Sequence, residues 1–117
     1  MEYDFTIRFN KGRQFVEVYL WAVHPDTFAK WKGGRWGYWT PIRTSDRKEK
    51  FGELHFVRSR LRFDTIVHEI DHFRTDYMWC RGDTITRKNE EKYATFLDEI
   101  TRKFLRELRK IEPSIQL

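Results

Sequence analysis

The sequence predicts an α+β domain, a small sheet from the first half of the chain packed on two helices from the second. Three observations carry this reading. Apolar residues alternate with polar ones near the amino terminus (Tyr3, Phe5, Ile7, Phe9), the period of a half-buried strand. In the second half Ile66, Ile70, Phe73 and Tyr77 recur every three or four residues, as do Tyr93, Phe96, Leu97, Ile100, Phe104, Leu108 and Ile111, the period of a helix with one buried stripe. Strands come first and helices follow, with no repeat or low-complexity linker between them, so 1–117 reads as one domain with an antiparallel or mixed amino-terminal sheet.

The elements follow in order. The first strand leads into Asn10-Lys11-Gly12-Arg13, a hairpin turn, and then into a run from Gln14 to Val23 rich in Val, Tyr, Phe and Trp. Pro25 ends that run. Between Thr27 and Thr40 four aromatic residues (Trp31, Trp36, Tyr38, Trp39) sit among Gly33, Gly34 and Gly37, which reads as a loop or irregular strand. A polar loop covers residues 43–50. The strand from Phe51 to Val57 sets Leu54 and Phe56 on one face and His55 on the other. Asp64 is the expected N-cap of a helix over 64–79. Arg81-Gly82-Asp83 breaks it, and a second helix over 88–111 stops before Pro113.

Composition narrows the function. Ten Phe, five Tyr and five Trp make aromatics 17% of the 117 residues, enough for a dense core. Charged residues are 35% of the chain and no apolar run approaches the ~18 residues of a membrane span. The first twenty residues lack the pattern of a secretion signal. Cys80 is the only cysteine, so no internal disulfide forms and a cytoplasmic setting is expected. The net charge of +5 leaves open a weak contact with nucleic acid or an acidic surface. Arg102, Lys103, Arg106, Arg109 and Lys110 carry much of the excess, and they also suit the solvated face of a helix.

The chemistry concentrates in His68-Glu69-Ile70-Asp71-His72, an HExxH pentad. At about 100° per residue the two histidines lie about 40° apart on the predicted helix, away from its apolar stripe. Two imidazoles so placed can share one zinc ion, and Glu69 beside them can take a proton from a water on that ion. A third ligand must come from another element. Glu90 and Glu91 open the second helix, and eighteen residues separate His72 from Glu91. The plainer reading of that pair is compensation of the helix dipole.

HExxH-x18-E resembles the gluzincin zinc peptidases, the group that contains thermolysin and the metallo-aminopeptidases. The run from His68 to Tyr77, with its Thr75-Asp76-Tyr77 ending, is similar to the active-site helix of that group. Asn89-Glu90-Glu91-Lys92-Tyr93-Ala94 resembles its second motif. At this length the chain looks like a minimal gluzincin (minigluzincin). The resemblance implies a zincin-like fold, zinc on His68, His72 and Glu91, and peptide hydrolysis with Glu69 as general base. Glu90 follows Asn89 as the family ligand does, whereas Glu91 has the better spacing and a small residue three positions on. The resemblance also implies an extended peptide paired along the strand from Phe51 to Val57, and a carboxyl-terminal tail, 112–117, that shields the metal.

The chain departs from the family pattern in three places. Thr95 stands where the family has an acid that holds a ligand histidine, with Asp76 and Asp98 as substitutes. Asp71 inside the pentad is expected to pair with Arg74 or another base. No residue is marked as the oxyanion donor: Tyr77 and Tyr93 fall on apolar faces, Tyr38 and His55 are alternatives, and His24 reads as a loop residue before Pro25. A peptidase-like module that binds without turnover, of phage or mobile-element type, therefore stands as a second reading. A nucleic-acid-associated HExxH protein is a third.

Overall fold

The amino-terminal hairpin sets the frame. In a computed structural model describing residues 2–22, 36–42 and 49–117, β1 (Phe5–Phe9) pairs antiparallel with β2 (Gln14–Trp21), from Phe5 opposite Val18 to Phe9 opposite Gln14. The turn between them holds Asn10, Lys11 and Gly12 in the left-handed region, with φ of 54°, 58° and 77°. Gly12 occupies it without cost and asparagine tolerates it, but Lys11 carries a Cβ that disfavours it. His24, Pro25, Trp31 and the loop expected over 43–50, apart from its last two residues, lie outside the described residues.

Alternation decides what each strand buries. Phe5, Ile7 and Phe9 of β1 and Val16, Val18 and Leu20 of β2 point to the helices. The other two strands are β3 (Gly37–Pro41) and β4 (Lys50–Val57), and the sheet order is β1-β2-β4-β3. β4 runs parallel to β2 and antiparallel to β3, which makes the sheet mixed. This corrects one expectation. The strand from Phe51 to Val57 is an interior strand, bonded on both sides, so its backbone cannot pair with an added peptide. Among the described residues the sheet edge on that side is β3.

A bulge in β4 shapes both faces. Phe15 stands opposite Lys50 but Val16 stands opposite Gly52, so Phe51 is the extra residue. Phe51 and Gly52 are both buried in succession. Gly52 is required, because a Cβ there would lie 2.3 Å from Cη2 of Trp39. The same slip brings Lys50 and Glu53 to one face, where they form an ion pair at 2.5 Å.

A short 3-10 turn, Arg58–Arg60, leads to α1 (Phe63–Cys80). The helix starts one residue before the expected cap, with Arg62 in the cap position and no side-chain cap bond. Asp64 instead lies in the first turn, where its carboxylate accepts from Arg62 and from the Thr65 backbone N–H. Arg81 and Gly82 close α1 by backbone bonds to Tyr77, Met78 and Trp79. Asn89 then accepts from the Thr86 N–H and donates to the Thr84 carbonyl. That local turn delays α2 (Glu90–Ile111) by two residues relative to the sequence reading.

Both helices pack on one face of the sheet. Ile66, Ile70 and Phe73 of α1 and Tyr93, Ile100, Phe104 and Leu108 of α2 are almost wholly buried. The centre is aromatic: Phe9 meets Phe73 edge-on at 5.0 Å, and Tyr77 stacks on Phe96 at 4.4 Å. Lys103 of α2 reaches across and donates to the Arg8 carbonyl on the free edge of β1 at 2.8 Å. Among the described residues no helix is long and apolar enough to cross a membrane.

Candidate metal centre

α1 separates its two jobs by angle. Ile66, Ile70, Phe73 and Tyr77 face the core, and His68 and His72 stand on the opposite, exposed side. Their Nε2 atoms are 3.2 Å apart and the rings meet edge-on at 88°. Glu69 lies on the flank between the two faces and is 3% exposed. The ligand atoms of His68, Glu69 and His72 all fall within 4.8 Å of one another. Among the described residues this is the metal-competent group of histidine and carboxylate side chains, and it contains three of the four residues expected from the sequence.

The donor set is one that could hold a metal ion. Two nitrogen ligands at ~2.0–2.1 Å, separated by a tetrahedral angle, stand about 3.3 Å from each other. The observed 3.2 Å between the two Nε2 atoms is compatible with that spacing and equally with a hydrogen bond between the rings. Without a metal, the same pair is bridged by one ring N–H donating to the other ring.

Glu91 does not join this group. α2 turns on Tyr93, and at about 100° per residue Glu91 points roughly 160° away from that buried side chain. It is exposed in the first turn and lines a cavity of about 340 Å³ with Tyr77, Thr95, Phe96 and Glu99. Glu90 lies closer to the buried stripe but is exposed as well. Thr95 and Asp98 are likewise at the surface. Asp76, one helical turn beyond His72, accepts from the Trp39 indole N–H at 2.5 Å. Asp71 pairs with Arg74 at 2.8 Å, as the sequence suggests.

The expected oxyanion candidates divide. Tyr77 and Tyr93 are core residues, with hydroxyls bonded to Arg81 and Asp83 respectively. His55 and Tyr38 lie together on the sheet face turned away from the helices, stacked at 4.4 Å. The carboxyl-terminal tail packs near the end of β4. Glu112 pairs with Arg58, and Ser114 and Ile115 help line a cavity of about 480 Å³ with Ala22 and Ser59.

Charge on α2 is divided along its length. Glu90, Glu91, Asp98 and Glu99 occupy the first half and Arg102, Lys103, Arg106, Arg109 and Lys110 the second, with Lys92 and Glu107 as the exceptions. That order complements the helix dipole at both ends. Lys103 is bound to Arg8 and Lys110 to Glu107, so part of the basic set is already engaged.

A network on that same sheet face was not foreseen. His55 accepts from the Trp21 indole N–H at 2.9 Å and meets Glu53 at 2.8 Å, while Lys50 bridges Glu53 and Glu17. Burial holds the His55 pKa below its ordinary value, against the attraction of Glu53. Burial pushes Glu53 up, but the Lys50 and His55 contacts outweigh it and the net shift is down. Burial opposes the charge on Lys50 too, yet Glu17 and Glu53 raise its pKa to about 12. The signal was present in Glu17, Tyr19, Lys50, Glu53 and His55, but only the β2–β4 register and the bulge bring them together.

Comparison of the chain with protein-family models, with curated proteins and with solved structures finds no match.

Proposed function

We propose that this protein is a zinc-dependent peptidase whose metal is held by His68 and His72. The observation that carries this reading is the 3.2 Å separation of the two Nε2 atoms with the Glu69 carboxylate beside them. Zinc at that position would supply Lewis acidity and lower the pKa of a water. Glu69 is placed to take a proton from the attacking water and return it to the leaving amine. The residue is almost wholly buried on the flank of the helix. Glu91 is the third ligand in this proposal, and reaching the histidines requires the first turn of α2 to turn inward. A peptide substrate would align along β3, the edge strand that Trp39 and Asp76 tie to α1.

The test is metal content by mass spectrometry on protein purified without added metal, followed by hydrolysis of a peptide library. Wild type is expected to carry about one zinc per chain, and His68→Ala and His72→Ala to lose it. Glu69→Gln should keep zinc and lose hydrolysis. Absence of zinc binding by wild type, even on titration, sinks the proposal.

One observation favours a second reading. Glu91 stands outside the His68–Glu69–His72 group. A two-histidine site that holds metal without turnover would serve a binding module. Zinc-loaded wild type that cleaves nothing in the library would select it.

A further inference from the structure

The geometry points to His55 as an acid-sensitive latch that holds Trp21 at the end of β2. The inference is independent of the metal centre. An indole N–H can only donate, so the Trp21 contact at 2.9 Å makes Nδ1 of His55 an acceptor. The ring proton then sits on Nε2, which donates to Glu53 Oε1 at 2.8 Å. The ring cannot turn away from either partner. It is clamped between Tyr19 at 4.5 Å and Tyr38 at 4.4 Å, with interplanar angles of 5° and 6°. Only 5% of the residue is exposed, so water has little room to replace a lost partner.

Protonation adds a second N–H, on Nδ1, that faces the indole N–H directly. Two donors then confront each other inside a rigid slot, and one must leave. Among the described residues, the groups around the ring are Glu17 and Tyr19 on β2, Lys50 and Glu53 on β4, and Tyr38 on β3. Glu53 attracts the imidazolium, but it already shares its charge with Lys50 at 2.5 Å. The proton therefore keeps Glu53 and expels Trp21.

Position gives the latch its consequence. Trp21 is the last residue of β2 and pairs with Val57, the last of β4. From Val57 the chain passes through the 3-10 turn into α1. Release of Trp21 loosens that end of the parallel β2–β4 ladder and leaves the hairpin end in place. Because burial depresses the His55 pKa, the latch is shut at neutral pH and opens below the ordinary imidazole value of 6.5.

The test is site-resolved NMR on the full chain from pH 8 downward. It follows the His55 ring and the five indole N–H signals, with Trp21 assigned by Trp21→Phe. The expected result is loss of exchange protection at the Trp21 indole with the same midpoint as His55 protonation. His55→Asn offers an acceptor in the Nδ1 position but cannot titrate, so the step should vanish. Should that variant fail to fold, Trp21→Phe is the independent check. Removing the donor must move the His55 midpoint upward toward 6.5. A Trp21 indole that stays protected through the His55 titration overturns the inference. So does a step that survives in His55→Asn, or a His55 midpoint unmoved in Trp21→Phe.

Discussion

Trp39 of the edge strand donates its indole N–H to Asp76 of α1 at 2.5 Å, one helical turn from His72. The indole also stacks on Phe73 at 5.0 Å and lies over Gly52. One side chain thus fixes the spacing between β3 and the helix that carries the pentad. Asp76→Ala should lower stability by about 1.5–3 kcal/mol, the range for a hydrogen bond to a charged group. Asp76→Asn keeps an acceptor and should lose less. Urea unfolding midpoints measure both, and equal losses would refute the role assigned to the bond.

Gly52→Ala tests the same contact from below. The added methyl would meet Trp39 Cη2 at 2.3 Å and the Thr40 carbonyl at 2.6 Å. Backbone cannot swing aside as a flexible side chain can, so a loss of about 1–3 kcal/mol or more is expected. Tryptophan emission should shift in the native state as the indole is displaced. A variant as stable as wild type, with unchanged emission, contradicts the packing.

Lys11→Gly should raise stability. Lys11 sits at a φ of 58°, where an L side chain costs ~1–2 kcal/mol, and glycine relieves this at some cost in unfolded-chain entropy. A net gain of roughly 0.5–1 kcal/mol is expected. Thermal unfolding of the variant reads it directly. A fall in midpoint would mean that the lysine side chain contributes more than its backbone strain.

Alkaline pH offers a further check on the sheet network. Lys50 is raised from 10.5 to about 12 by its two carboxylates, with burial opposing. Tyr19 is raised from 10.0 to about 12, first by burial and then by donating to Glu17. Both shifts stabilise the folded chain below the unfolded values, and the benefit disappears as pH rises through about 12. Wild type should lose stability over pH 10–12. Lys50→Met should show a shallower decline across the same interval. Parallel curves would argue against the ion pairs as its source.

The third-ligand proposal separates two neighbours. Glu91→Gln is expected to weaken zinc binding by at least about tenfold. Glu90→Gln should change it little. Calorimetric titration of both variants decides, and the reverse order would reassign the ligand to Glu90.

Local pattern told most about local structure. The 3.6-residue period in Ile66, Ile70, Phe73 and Tyr77 marked α1 and its buried face, and Asn10-Lys11-Gly12-Arg13 marked the hairpin. The pairing partners of β4 were not legible. Alternation in Leu54, His55 and Phe56 states which face each residue takes but not which strand lies on either side, so an interior strand read as an edge. α1 starts one residue before the expected cap, and the Asp64 carboxylate accepts from Arg62 and the Thr65 N–H in place of a cap bond. Within the site, the histidine pair follows from helix geometry alone. The place of Glu91 depends on how α2 is rotated, and the burial of Tyr93 in the core sets that rotation.

The reach of Lys103 to the Arg8 carbonyl has a bearing on behaviour at high concentration. Among the described residues β1 is an outer strand of the sheet, and the outward side of its backbone is a template on which a second copy could add. An ammonium group seated on that edge both consumes an acceptor and sets a positive charge where an incoming strand would lie. Two chains approaching edge to edge would meet lysine against lysine. The protein thereby carries its own guard against growing into a continuous sheet.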